Sequence, residues 1–141
     1  MSIVQAICTS FKVELLQGVH DFTLSTGDVF KLALYTEAAN LSALTTVYST
    51  VGEVVAVGYT AGGVVLTQTV PTFDGTTAFV SFDNLLISST LSANGAMIYN
   101  SSKANRAVLV MDFGGLRFSS AGVFGITFPP QNAASAIIRI G

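Results

Sequence analysis

The chain has 141 residues, a formal net charge of −2 and 50% apolar residues, and its 10% of charged residues compares with roughly 25% in an ordinary soluble domain. That length fits one domain able to bury about 70% of the surface its unfolded chain exposes. The six cations, Lys12, Lys31, Lys103, Arg106, Arg117 and Arg139, are scattered, which excludes the basic stripe that nucleic-acid binding needs, and one His with one Cys excludes an internal disulfide and a His/Cys metal site.

Residues 1–10 are expected to form an N-terminal arm or an edge strand, with Ile3, Val4 and Ile7 as its apolar contacts, ahead of a single β-sandwich domain over residues 11–141. The stretch TSFKVELLQG, Thr9 to Gly18, predicts the one helix: a hydroxyl residue opens it, Phe11, Leu15 and Leu16 share a face, and Gly18 stops it. Because it is short, docking rather than propensity must hold it. After Gly27 the period changes to two. In DVFKLALYT, Phe30, Leu32 and Leu34 point one way and Lys31, Ala33 and Tyr35 the other, the alternation of a strand with one buried face.

EAANLSALTTVYSTVGE loses that alternation and predicts a long connection with a helical turn near Leu41–Leu44. VVLTQTV then alternates up to Pro71, and FDGTT predicts a hairpin turn into AFVSF, since Asp-Gly supplies positive φ angles. LLISS follows, LSANG predicts a turn before AMIYN, and RAVLVMDF, VFGITF and SAIIRI complete eight or nine short strands rich in Val, Ile, Phe and Thr. The expected fold is all-β: an antiparallel two-sheet sandwich, a jelly roll, with one short N-terminal helix. An immunoglobulin-like sandwich fits less well, without a Trp or a Cys pair.

No segment predicts a membrane span: the three uncharged windows, Val54–Phe73, Asn84–Ser102 and Ser119–Ile138, contain turn residues such as Gly62-Gly63, Asn94-Gly95 and Pro129-Pro130. MSIVQAICTSFK has no basic region and too short an apolar run for a signal peptide. Cys8 reads as a buried small hydrophobe.

Few residues suggest chemistry. His20-Asp21 sets the only imidazole beside a carboxylate, but neighbours on a strand face opposite ways and there is no Gly-x-Ser-x-Gly elbow, so hydrolysis is not expected. Gly62-Gly63 reads as a turn rather than a phosphate cradle, because no Lys-Ser/Thr follows. The polar run Asn100-Ser101-Ser102-Lys103-Ala104-Asn105-Arg106 is not a Ser-x-x-Lys motif, since Asn100 stands three before Lys103. A self-made Lys–Asn isopeptide bond would need an apolar pocket and a nearby acid, and the sequence identifies no such trio. The run reads as a loop whose Asn and Ser side chains bond local backbone, leaving Lys103 and Arg106 exposed to meet an acidic partner. No catalytic residue, cofactor or metal is expected.

GDVFKLALYT at Gly27–Thr36, VGYTAGGVVL at Val57–Leu66, GAMIYNSSKANRAVLVMDFGG at Gly95–Gly115 and FPPQNAASAIIRIG at Phe128–Gly141 together resemble the head decoration, or cement, proteins of some tailed phages. The resemblance implies a jelly-roll protein on the outside of a capsid lattice, made in the host cytoplasm and working by binding alone. Its partners would be the major capsid protein and a second copy of itself, as a homodimer clamping neighbouring capsomers. The alternative in a different class is a phage tail or fibre component that binds a host-surface ligand. Neither reading involves direct contact with nucleic acid or membrane.

Overall fold

The computed structural model describes residues 2–141, and its order is β1 (Ala6–Ile7), α1 (Thr9–Leu16), β2 (Phe30–Tyr35), β3 (Val64–Val65), β4 (Thr72–Asp74), β5 (Thr77–Val80), β6 (Leu85–Ile87), β7 (Ser92–Asn100), β8 (Arg106–Phe118), β9 (Phe124–Ile126) and β10 (Ile138–Ile140). The fold is all-β with one short helix. Three sheets form, ordered β1-β8-β7-β2-β3, β10-β5-β4 and β6-β9, and every strand pair in them is antiparallel.

The register of the five-stranded sheet explains why its central strands are buried on both faces. Phe30, Leu32 and Leu34 of β2 lie beside Asn100, Ile98 and Ala96 of β7 on one face, while Lys31, Ala33 and Tyr35 lie beside Tyr99, Met97 and Gly95 on the other. The first face meets the two small sheets, with Phe30 against Phe82, Phe82 against Phe128, and Phe113 of β8 against Phe124 of β9, at ring centroids 6.0, 5.9 and 6.2 Å apart. The second face is covered by the long connection between β2 and β3, whose Tyr48 ring stacks on Tyr99 at 4.6 Å. Ala33 and Tyr35 are therefore as buried as Leu32 and Leu34, and the single buried face expected of β2 becomes two.

Two further expectations change. Leu16 is 92% exposed, and the helix instead docks through Phe11, Glu14 and the partly buried Leu15, an i, i+3, i+4 face. Gly18 does stop the helix: at φ +71° it lets its own N–H bond Leu15 O while the Val19 N–H bonds Glu14 O, the paired closure of a Schellman motif. LSANG is not a turn. Ser92 to Gly95 is strand, and the irregularity lies opposite, where Phe113 to Leu116 bulge out of β8 between its pairings with Gly95 and Ala93. The FDGTT hairpin forms as read, with Gly75 at φ +61° in the tip between β4 and β5. VVLTQTV pairs in two pieces, Val64–Val65 with β2 and Gln68 with Phe82.

Residues 2–7 run as an edge along their own chain. Ile3 bridges Leu41, Ala6 and Ile7 pair with Val110 and Leu109, and the Cys8 N–H continues the ladder to Val108 O. Cys8 is fully buried, and its thiol is pushed up to about 11 by burial first and the Glu14 carboxylate second, which makes it unreactive as a nucleophile.

Candidate functional site

The polar run after Tyr99 becomes one side of a buried network. The pairing of Phe30 with Asn100 brings the end of β7 beside the start of β2, so the loop Ser101–Asn105 faces the segment His20–Val29 across the sheet end. Ser101 Oγ donates to Val29 O, and the Val29 N–H donates to Ser102 Oγ. Lys103 Nζ donates to Asp28 Oδ1 at 2.6 Å, and Asn100 Nδ2 donates to Asp28 Oδ2 at 2.6 Å. Arg106 Nη1 reaches Glu14 Oε2 on the helix at 2.8 Å.

His20 closes the ring. Its Nε2 lies 2.9 Å from Glu14 Oε1 and its Nδ1 2.9 Å from Asn100 Nδ2. An amide nitrogen can only donate, so Nδ1 is an acceptor and the proton sits on Nε2, pointing at the carboxylate. Asn100 Oδ1 accepts the Ser102 N–H at 3.0 Å, which fixes the amide orientation independently. Burial alone would raise the Glu14 carboxyl, but the hydrogen bonds from His20 and Arg106 outweigh it and hold it below the ordinary carboxylate range. Asp28 behaves alike: burial raises it, and Lys103, Asn100 and the Asp21 N–H more than offset that.

Sequence reading leaves Lys103 and Arg106 exposed to meet an acidic partner, and the structure adds a carboxylate of the same chain to each. Each is satisfied inside the chain by a carboxylate, although their side chains remain 39% and 44% exposed. The pairing follows from topology: the nearest acids in sequence do not serve them, and Asp28 and Glu14 arrive from 75 and 92 positions away. Asp21 does not orient His20; it accepts the Thr23 N–H instead, and Glu14 takes the role. Asp28 is an acid beside both Lys103 and Asn100, the trio missing from the sequence, but here Lys103 is engaged as a cation, whereas isopeptide formation would consume its free amine.

A second cluster holds the cover on the sheet. All four tyrosines converge on the connection after β2. Glu53, 8% exposed, accepts Tyr48 Oη at 2.5 Å on one oxygen, and Tyr59 Oη at 2.6 Å with the Gly62 N–H at 2.9 Å on the other. Tyr59 Oη also accepts the Leu34 N–H, Tyr99 Oη donates to Gly62 O and Tyr35 Oη to Ser49 O. An irregular segment buried against a sheet must satisfy its backbone groups somehow, and here side chains do it. All four phenols are raised above their ordinary value, chiefly by burial and further by the Glu53 carboxylate.

Of the apolar contact candidates, Val4 is 53% exposed, while Ile3 and Ile7 are partly buried against the chain's own core. Ile3 lies over Gly95, where an added Cβ would come within 2.9 Å of its Cδ1. The larger signal is elsewhere. Among the described residues seventeen large apolar side chains are exposed, with Val55 and Val57 at 97%, Leu16 at 92% and Leu44 at 82%. The β10-β5-β4 sheet shares in this: Phe73, Ala78 and Ile140 form one cross-strand row on it, all exposed. An open groove of about 520 Å³ runs beside β1, with Ile7, Met111, Phe113, Ile126 and Ile137 among its walls. No group of three metal-ligating side chains occurs among the described residues, and no described helix is long and apolar enough to cross a membrane.

Searches against protein-family models, curated proteins and solved structures find no match.

Proposed function

We propose that this chain is a structural virion protein that binds the outside of a phage capsid lattice and stabilises it by bridging neighbouring subunits, as a homodimer. The observation that carries the reading is the division of its side chains. Lys103, Arg106, Glu14, Asp28 and Glu53 are consumed internally, while among the described residues seventeen large apolar side chains are exposed, ten of them on the helix, the connection and the small sheets. A surface of that kind suits several modest contacts, which repetition over a closed shell multiplies through avidity. The sequence resemblance to cement proteins supports the same reading, and the jelly-roll topology of those proteins belongs to the proposal with it.

Quantifying the protein in purified particles of the phage that encodes it provides the test. Hundreds of copies per particle, with stripped particles rupturing at lower temperature, are the expected result. A handful of copies would move the protein to the tail or fibre, and its absence from particles would overturn the reading. A finer version replaces Val55 and Val57 by Asp. Both side chains are open to solvent, so the isolated variant should keep its melting transition to within about 0.5 kcal/mol, while losing occupancy on particles.

A further inference from the structure

We propose that His20 is an acid-operated latch on the Ser101–Asn105 loop, released when its Nδ1 takes up a proton. The imidazole is fully enclosed, with a side-chain exposure of 0%, and lies between aromatic rings, Phe11 at 4.7 Å and Phe30 at 6.5 Å between centroids. Both carboxylates of the network already have a cation. Glu14 from the helix is paired with Arg106 from β8, and Asp28 from the segment before β2 is paired with Lys103 from the loop. Asp21 beside Asp28 is exposed and bonded to Thr23, and Cys8 beside Glu14 is buried. A proton on His20 therefore adds a positive charge whose nearest carboxylate, Glu14, is already shared with Arg106.

The hydrogen-bond pattern turns that charge into motion. Protonated Nδ1 presents an N–H to Asn100 Nδ2, donor against donor, 2.9 Å apart. Turning the Asn100 amide over does not relieve the conflict. It would set Oδ1 against Asp28 Oδ2 and Nδ2 against the Ser102 N–H, replacing one mismatch by two. Asn100 must then give up its place, and with it the bonds that fix Ser102 and tie Asp28 to β7. The trigger is the uptake of one proton, so acidification is the condition that tests the latch. The outcome is a loop loosened at Ser102, while Ser101 keeps its bond to Val29, Lys103 its bond to Asp28 and Arg106 its bond to Glu14. This device is independent of where the protein resides.

Because His20 is the chain's only histidine, its imidazole is an unambiguous reporter. Nitrogen and carbon NMR of the full chain should show the Nε2–H tautomer at about pH 7.5, and acidification should move the amides of Ser102, Lys103 and Arg106 in step with the imidazole. Hydrogen exchange, corrected for its intrinsic pH dependence, should show the Ser102 amide, which bonds Asn100 Oδ1, losing protection by about tenfold at about pH 5.5, with β7 and β8 unchanged. His20→Gln keeps a donor for Glu14 and an acceptor for Asn100 but does not titrate, so its loop should stay protected at both pH values. If that variant does not fold, the wild-type titration decides alone. An imidazole that titrates without moving the loop amides, one that stays neutral until the whole chain unfolds, or loop protection that is equal at both pH values would each overturn the proposal.

Discussion

Glu53 shows how much one buried carboxylate can organise. It receives three hydrogen bonds from Tyr48, Tyr59 and the Gly62 N–H, and Glu53→Gln would turn an amide N–H toward at least one of these donors. Hydrogen bonds to charged groups contribute about 1.5 to 3 kcal/mol each, and we expect the variant to lose about 3 kcal/mol in urea unfolding. Tyr59→Phe should lose about 2 kcal/mol, because the buried Leu34 N–H is then left without its acceptor. Acid sensitivity has its own residue-scale cause. Glu14 and Asp28 both have folded values depressed below the ordinary carboxylate value, so they contribute stability above about pH 4 that is lost as pH falls through their folded values. Asp28→Asn should flatten that acid limb in a pH series of melting temperatures. The partners behind these shifts were only partly legible in sequence. Glu14 could be read, since Phe11, Glu14 and Leu15 fall on one helical face; Asp28 could not, since only the β2–β7 register brings it to Lys103.

At the scale of elements, the connection after β2 departs furthest from its sequence reading. It was legible as a long segment without period, and its helical turn is no more than a bend and turn at Ser42–Leu44, with the Thr45 N–H bonding Ser42 O. Its role as a cover was not legible, because an irregular segment carries no periodicity to say what it packs against. Gly63 marks where cover meets sheet: at φ +82° it passes so near β2 that an added Cβ would lie 1.8 Å from Leu32 O. Gly63→Ala should therefore cost more than about 3 kcal/mol or prevent folding, measured by thermal unfolding. Gly114→Ala, also at positive φ but with nothing within 4 Å, should cost about 1 kcal/mol. The contrast separates backbone strain from collision. The β7–β8 hairpin, by comparison, was readable as two strong strands around a polar turn, and only its length exceeded the reading.

The whole molecule is a central sheet covered on one face by two small sheets and on the other by the irregular connection. Its polar atoms are almost all spent inward: Ser81 Oγ is the one buried side-chain atom without a hydrogen-bond partner among the described residues. Its apolar side chains are not all spent, and the row Phe73, Ala78 and Ile140 continues the buried pair Val80 and Ile138 out past the core. If that row is part of the surface that joins copies or reaches a lattice, Phe73→Asp should leave the melting temperature of the isolated chain almost unchanged. It should reduce either dimer content in sedimentation or occupancy on particles; loss of neither would remove the row from the interface.

Composition and local pattern determined, without coordinates, that this chain is all-β, that one short helix precedes the strands and ends at Gly18, and that Asp74-Gly75 turns a hairpin. Those features depend on residues close in sequence, where period and turn chemistry act directly. Tertiary structure alone decided that β2 is buried twice, that Lys103 and Arg106 are paired inward, and that His20 answers to Glu14 and Asn100 rather than Asp21. Each of those depends on where separate elements come to rest against one another, which is set by the packing of the whole chain rather than by any stretch of it.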